Sequence, residues 1–113
     1  MLDVKKTLTK ILNQLPRMGA NYLQVGNILI QWGYGTTTSG ALVTSFSKAY
    51  SSASSYRAFA SGVYANAYIA YMTSVQPTSG SGMNIYMRYV SGGSMQVPAN
   101  GTGVFWLTIG TTA

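Results

Sequence analysis

Apolar and polar positions alternate along several short stretches of the chain. The most apolar stretch, residues 28–32, is rich in β-branched and aromatic side chains and lies between two glycines. Such side chains pack well on a pleated surface, so this stretch is predicted to be a β-strand. Alternation places Ile28, Ile30 and Trp32 on one face of that strand. We interpret Trp32 as an anchor of the hydrophobic core.

The same signals predict further strands at residues 41–46, 56–61, 63–75, 83–90, 95–97 and 104–110. The spacing of apolar residues in 63–75 also fits a helix, but its aromatic and β-branched content favours a strand. The polar segment 33–40 is predicted to join its two flanking strands as an antiparallel hairpin, and residues 76–82 are predicted to form a loop. Short strands separated by Gly, Ser and Thr turns indicate an all-β fold, a small antiparallel β-sandwich.

A helical spacing is confined to the N-terminal part of the chain. Asp3 is the predicted N-cap of a helix that ends near residue 15, before Pro16. Apolar residues recur at the a and d positions of a heptad, namely Met1, Val4, Leu8, Ile11 and Leu15. An isolated helix of this length is marginal in water and needs a partner. That partner is either the chain's own domain or other copies around an axis, and we favour self-association as a trimer.

The chain is therefore expected to have an oligomerisation helix at residues 1–17 and a sandwich head at residues 18–113.

Charged residues make up only 7% of the sequence, against about 25% in typical domains. Solubility then depends on Ser, Thr, Asn, Gln and Gly. Such a surface suits repetitive β-structure, glycan contact or burial in an oligomer.

The residue types available for catalysis are few. The chain has no cysteine, no histidine and a single acidic side chain, Asp3. A Ser-His-Asp triad, a carboxylate pair and a His, Cys or carboxylate metal site are each impossible within one chain. We therefore expect a protein that is not an enzyme, with no catalytic or metal-binding residues and no cofactor.

The net charge of +6 raises the possibility of nucleic-acid binding. Four of the cations, Lys5, Lys6, Lys10 and Arg17, fall in the first 17 residues, and the others are widely separated. Because phosphate binding depends on clustered cations, we favour a solvated basic helix face and expect no nucleic-acid partner. No apolar run reaches the ~20 residues of a membrane span, so no membrane insertion is expected. No signal peptide is evident either.

Two motifs frame the predicted head. Ile-Leu-Ile-Gln-Trp-Gly occupies residues 28–33, and Phe-Trp-Leu-Thr-Ile-Gly occupies residues 105–110. This ordered pair resembles the C-terminal head domains of bacteriophage tail fibres, which commonly begin with an Ile-Gln-Trp-Gly strand and end in an aromatic-Trp-x-x-Ile-Gly strand. The resemblance covers residues 23–110. It implies a β-sandwich head on a homotrimeric fibre, located at the fibre tip of a virion, that recognises the bacterial surface.

The resemblance supplies no universal binding residues. Only Trp32, Gly33, Trp106 and Gly110 carry over, and their roles are structural. Trp32 and Trp106 are both assigned to the core.

Ligand contacts are instead sought among aromatic, amide and cationic side chains in predicted loops. Sugars have both apolar faces and hydroxyl groups, and tyrosine offers a ring with a polar tip. The candidates are Tyr34, Tyr50, Tyr56, Arg57 and Asn100. For each of them, a structural role in the β-domain is the alternative.

The sequence thus predicts a homotrimeric head that binds a host bacterial surface glycan without cleaving it. The alternative is a structural module that registers three fibre chains at the tip and binds no receptor. A third possibility, a basic nucleic-acid binder, is less consistent with the scattered cations.

Overall fold

The computed structural model describes residues 3–14 and 17–112, with residues 12–14 described by backbone alone. Most of the chain is β-strand in antiparallel sheets, with one short helix, as the all-β prediction requires. The elements are α1 (Val4–Gln14), β1 (Arg17–Met18), β2 (Tyr22–Val25), β3 (Ile28–Thr36), β4 (Ala41–Ser45), β5 (Tyr56–Gly62), β6 (Tyr71–Ser79), β7 (Gly82–Ser91), β8 (Ser94–Gln96) and β9 (Gly103–Thr111).

The strands form two antiparallel sheets. The five-stranded sheet has the order β1-β2-β3-β9-β5. The four-stranded sheet has the order β4-β7-β6, and β8 pairs with β7. The two motif strands, β3 and β9, are neighbours and pair from Ile28 opposite Thr111 to Thr36 opposite Gly103. The two motif strands therefore lie side by side in the interior of the five-stranded sheet.

Helix α1 begins as the sequence predicts. The carboxylate of Asp3 accepts a hydrogen bond of 3.1 Å from the backbone N–H of Lys6. This bond satisfies one of the free N–H groups of the first turn and confirms Asp3 as the N-cap. Val4, Leu8 and Ile11 are exposed to solvent. Met1 and Leu15, the other two predicted heptad positions, lie outside the described residues.

Side chains from both sheets share one hydrophobic core. Its buried members are Leu29, Tyr50, Tyr56, Met83, Ile85, Met87, Val104 and Trp106. The indole of Trp106 lies across Gly33 on the neighbouring strand, where a Cβ atom would come within 2.5 Å of the ring. Residue 33 must therefore be glycine for the tryptophan to occupy this position. The predicted core role of Trp106 is confirmed.

Gln31 is a buried polar side chain of the five-stranded sheet, and it bonds the segment that connects β4 to β5. The amide of Gln31 donates to the carbonyl oxygen of Lys48 at 3.0 Å and accepts from the N–H of Lys48 at 3.1 Å. The segment after β4 has no strand partner at this point, so Gln31 supplies the hydrogen bonds that a strand would give. These two hydrogen bonds offset the cost of burying the Gln31 amide.

The two sheets also meet along one edge. The hydroxyl of Thr73 on β6 donates a hydrogen bond of 2.7 Å to the carbonyl oxygen of Ala60 on β5, the outermost strand of the five-stranded sheet. Beside it, the ring of Tyr71 packs against Gly62, where a Cβ atom would come within 2.7 Å of the ring. The edge of β5 is therefore partly covered by the chain itself.

Several predicted elements are confirmed. The strands predicted at 56–61, 83–90, 95–97 and 104–110 correspond to β5, β7, β8 and β9. The strand predicted at 28–32 is present but continues to Thr36.

Three of the local predictions are wrong. β3 and β4 do not form a hairpin, because the turn after Thr37 takes the chain into the other sheet. The strand predicted at 63–75 begins only at Tyr71, and residues 63–70 form a loop. The loop predicted at 76–82 is mostly the end of β6, which tolerates Pro77 because β6 is an edge strand whose register shifts there.

We expect Gln31→Leu to lower the free energy of unfolding by about 1–3 kcal/mol, because the N–H and C=O of Lys48 lose their partners at a partly buried site. Urea unfolding followed by far-UV circular dichroism measures this. Gln76→Leu on exposed β6 is the control and should change stability by less than about 0.5 kcal/mol. Equal stability of Gln31→Leu and the native protein would contradict the role assigned to Gln31.

Tyr56 should make stability depend on alkaline pH. Burial, together with repulsion from neighbouring Tyr50, raises the pKa of the Tyr56 phenol above its ordinary value of 10.0. The unfolded chain therefore loses this proton at a lower pH than the folded chain. The free energy of unfolding must fall as pH rises from the unfolded pKa towards the folded one.

Tyr56→Phe should remove that part of the alkaline slope in urea unfolding, while Tyr86→Phe, at an exposed position, should retain it. Tyr56→Phe should also cost about 1–2 kcal/mol at neutral pH, because the Tyr56 hydroxyl lies 3.1 Å and 2.9 Å from the carbonyl oxygens of Ser79 and Gly82. An unchanged alkaline slope in Tyr56→Phe would refute the assignment.

Candidate functional site

The side of the five-stranded sheet that faces away from the core is apolar. We call it the outer face. In an antiparallel pair, residues directly opposite each other point to the same side, so the register of β1, β2, β3, β9 and β5 defines its members. Its apolar members are Met18, Leu23, Val25, Ile28, Ile30, Trp32, Tyr34, Phe59, Phe105, Leu107 and Ile109. Most of these side chains are exposed.

Trp32 belongs to this outer face, so its predicted role as a core anchor is wrong. Its side chain is 36% exposed, whereas Leu29 and Gln31, on the opposite side of β3, are buried. The alternation along β3 is as predicted, but the face that packs inward is the reverse. The tryptophan that anchors the core is Trp106, at 8% exposure.

The outer face contains a groove at its aromatic part. Tyr34 and Phe105 lie opposite each other, with ring centroids 5.2 Å apart and planes tilted by 54°. The ring of Tyr34 lies across Gly103, which leaves room for it. The groove has a volume of about 620 Å³ and is lined by Ala20, Asn21, Trp32, Gly33, Tyr34, Phe59, Ala60, Ser61, Phe105, Trp106 and Leu107. None of these residues is charged.

The one charged side chain on this side of β5 is Arg57, opposite Ile109 at the margin of the outer face. Its guanidinium donates to the carbonyl oxygens of Tyr56 at 3.1 Å and Ser54 at 3.4 Å. The charge is therefore held against the chain's own backbone and does not project over the apolar surface.

The loops gather at two ends of the sheets. We call the end where β3 and β5 finish and β9 begins the distal end, because α1 lies at the other end, beside the turn at Gly26 and Asn27. At the distal end, the turn after β3 is fastened to the loop before β9. The N–H of Ser39 donates to the side-chain oxygen of Asn100 at 2.8 Å, and the N–H of Gly101 donates to the carbonyl oxygen of Thr37 at 2.8 Å.

The loop between β5 and β6 also belongs to the distal end. Its first residue, Val63, donates its N–H to the carbonyl oxygen of Gly103 at 3.0 Å. The side chain of Asn66 accepts a hydrogen bond of 2.9 Å from the N–H of Tyr68, which fixes a tight turn. Tyr64 and Tyr68 are 77% and 95% exposed. Two aromatic rings are thus presented to solvent on a loop with local hydrogen bonds.

The predicted ligand residues fall in three places. Tyr34 and Asn100 lie at the distal end and are exposed, as a ligand contact requires. Arg57 is exposed but lies towards the α1 end. Tyr50 and Tyr56 are buried, so the prediction that they contact a surface ligand is wrong.

These two rings stack in the core with centroids 4.6 Å apart, and Phe46 packs edge-on against both. The hydroxyl of Tyr50 lies 2.6 Å from that of Thr108. Their polar tips are satisfied inside the protein, so both tyrosines serve the fold. Serines surround Tyr50 in the sequence, and such a composition is typical of an exposed loop, so the pattern did not indicate that Tyr50 is buried.

Sequence reasoning missed Tyr64 and Tyr68 as surface residues, because it placed both in a strand. The signal that could have found them is the non-alternating spacing of residues 63–70, together with an asparagine at a turn position. Neither residue pairs with a strand, which leaves both rings free of the sheet surfaces.

A basic cleft lies between α1 and the turn at Gly26 and Asn27. Its volume is about 950 Å³, and its charged lining residues are Asp3, Lys5, Lys6, Lys10 and Arg17. The lysines of α1 are exposed, so their charges are already solvated. The predicted solvated basic helix face agrees with this placement.

Within residues 3–14 and 17–112, no group of three His, Cys, Asp or Glu side chains is positioned to hold a metal ion. In the same part of the chain, no helix has the length and apolar character needed to cross a membrane. Comparison of the chain with protein-family models, curated proteins and solved structures finds no match.

The two tryptophans should differ sharply in their contribution to stability. Trp106→Ala removes a buried ring and should lower the free energy of unfolding by about 3–5 kcal/mol. Trp32→Ala removes an exposed ring with cross-strand contacts and should cost about 1 kcal/mol in dilute protein. Urea unfolding followed by far-UV circular dichroism compares the two. A larger loss for Trp32→Ala would contradict the inward and outward assignment of β3.

Proposed function

We propose that this chain is a non-catalytic attachment module, a β-sandwich head of the tail-fibre type that binds a bacterial surface glycan as a homotrimer. The observation that carries the proposal is the separation of two surfaces along the molecule. Exposed tyrosines and amides lie at the distal end, and the exposed apolar stripe of α1 lies at the opposite end. One end is suited to assembly and the other to recognition.

The chemistry of the distal end suits a carbohydrate. Tyr64 and Tyr68 expose aromatic rings, which can stack on the C–H faces of a sugar and cost few rotors to hold in place. Asn66 and Asn100 place amide groups in the same region. A neutral or acidic glycan meets no carboxylate here, because the only acidic side chain is Asp3 at the other end.

The sequence composition supports binding without cleavage. General acid–base chemistry draws mainly on His, Glu and Asp, and Asp3 is the only member of that set in the chain. Its carboxylate is already engaged in capping α1. Attachment requires a surface and not a proton donor, so it is compatible with this composition.

Trimerisation is supported by α1. Val4, Leu8 and Ile11 follow the heptad spacing and are exposed, and a helix of this length gains stability when such a stripe is covered. Three parallel copies joined through α1 would present three distal ends in one direction. Weak individual glycan contacts would then add as avidity.

A second function is favoured by a different observation, the extent of the outer face. A chain with an apolar sheet face could instead be a structural fibre-tip or assembly module, which joins fibre chains and binds no receptor. In that case the distal tyrosines would make no contribution to adhesion.

Cell adhesion separates the two functions. The native protein should bind strains from a panel of bacteria, or surface glycans on an array. The double variant Tyr64→Ala/Tyr68→Ala should bind at least about tenfold more weakly, since loss of an aromatic contact costs about 1.4 kcal/mol or more.

Tyr86→Ala is the matched control, because Tyr86 is an exposed tyrosine on β7, outside the distal loops. It should bind as the native protein does. Equal binding by the double variant would contradict the distal site. No binding by the native protein to any cell or glycan would favour the assembly module.

A further inference from the structure

Within residues 3–14 and 17–112, no element covers the outer face. The core lies on the other side of the five-stranded sheet, between it and the four-stranded sheet. Phe59 and Phe105 are 60% and 55% exposed, and Leu107 and Ile109 are each 41% exposed. These side chains are contiguous across β3, β9 and β5. A continuous apolar patch of this kind marks an interaction surface more often than a free one.

The solvent-accessible surface of the chain is larger than that of a compact monomer of the same mass. Its accessible surface is 7212 Å², whereas a folded monomer of this mass has about 6,000 Å². The excess, about 1,200 Å², comes from α1, whose described side chains are nearly all exposed, as well as from the outer face. A standard stable interface takes ~800 Å² from each partner. The radius of gyration is 18.3 Å, against about 13 Å for a compact domain of this length. A chain this extended leaves apolar side chains exposed on both α1 and the sheet.

Charge limits where two copies of the chain can meet. The chain carries a net charge of +6, so two copies repel unless they meet where cations are absent. The outer face is such a place, because Arg57 lies at its margin and donates to its own backbone. An acidic partner would be drawn to the lysines of α1 instead. When two copies meet through their outer faces, their cations stay apart and the repulsion between them is reduced.

The shape of the face also suits such a contact. The groove of about 620 Å³ is bordered by the aromatic rings of Trp32, Tyr34, Phe59 and Phe105. Aromatic side chains around a pocket are the usual centre of a protein interface, because each buries a large area with few rotors. The aliphatic part of the same face, at Ile28 and Val25, offers side chains that a groove of this kind can receive.

We propose that the outer face of the five-stranded sheet is an interface between copies of this chain. The inference rests on the proposed function only for self-association, and adds that the sheet makes a contact besides α1. Trp32 is then an interface residue and the distal loops remain outside the contact.

Assembly of the full chain tests the proposal. Phe59→Glu places a charge in the groove, and should raise the dissociation constant of the oligomer at least about tenfold, the size of effect typical of an interface anchor. Light scattering and sedimentation equilibrium across a range of protein concentrations measure it, with circular dichroism confirming that the variant folds.

Val43→Glu is the matched control, since Val43 is an exposed apolar residue on β4 of the other sheet. It should leave the assembly unchanged. A native protein that stays monomeric at high micromolar concentration, or an unchanged dissociation constant for Phe59→Glu, would overturn the proposal.

A second measurement does not depend on disrupting the protein. The chain has no cysteine, so a single introduced thiol reports on one position. Ser61→Cys lies on the outer face opposite Phe105, and its alkylation by a maleimide should slow at least severalfold as the protein concentration rises. Ser45→Cys on β4 should react at a constant rate. Equal, concentration-independent rates at both positions would also overturn the proposal.

The outcomes separate this inference from the function. If Phe59→Glu dissociates the oligomer while the native protein binds no cell or glycan, the interface stands and the attachment function fails. If the native protein adheres but Leu8→Glu, in α1, dissociates the oligomer and Phe59→Glu does not, attachment stands and the sheet interface fails.

Discussion

The pairing of β3 with β9 is the constraint on which the two surfaces of the molecule depend. Its register places Leu29 and Gln31 on the inner side together with Trp106, and Ile30 and Trp32 on the outer side. A slip of one residue would exchange the sides of a whole strand. The close approach of Trp106 to Gly33 opposes such a slip, because only glycine leaves room for the indole. Core packing and the apolar outer face are thus consequences of one register.

Much of the fold could be predicted from local patterns, because alternation and an N-cap are local properties. Alternation located β5, β7 and β9, and Asp3 located the start of α1. The inward side of β3 could not be predicted, since its inner side, with Leu29, Gln31 and two glycines, is less apolar than its outer side. The polar residue among them, Gln31, is buried because it bonds the backbone of Lys48, 17 positions away. The local sequence pattern does not reveal a partner so far along the chain. The wrong prediction that Trp32 anchors the core followed from this.

The candidate site was harder to predict than the fold for a related reason. Tyrosine suits a core and a surface equally well, and nine of them occur in the chain. Tyr50 and Tyr56 find hydroxyl or carbonyl partners inside the protein, whereas Tyr64 and Tyr68 lie on a loop that no strand covers. Tertiary structure decides between these outcomes. A protein with few charges depends on this separation of buried from exposed tyrosines. Hydroxyl and amide groups around the exposed rings must then keep the surface soluble.

The contact between Thr73 and Ala60 has a consequence for the size of any assembly. A free strand edge can recruit another strand without limit, which leads to open-ended aggregates. Here the hydroxyl of Thr73 donates a hydrogen bond to a backbone carbonyl oxygen at the β5 edge. The opposite edge of that sheet is β1, a strand of only two residues. Growth by strand addition is therefore opposed at both ends of the sheet. Copies that meet through faces can close around an axis, so the edges of the five-stranded sheet do not direct assembly towards a filament.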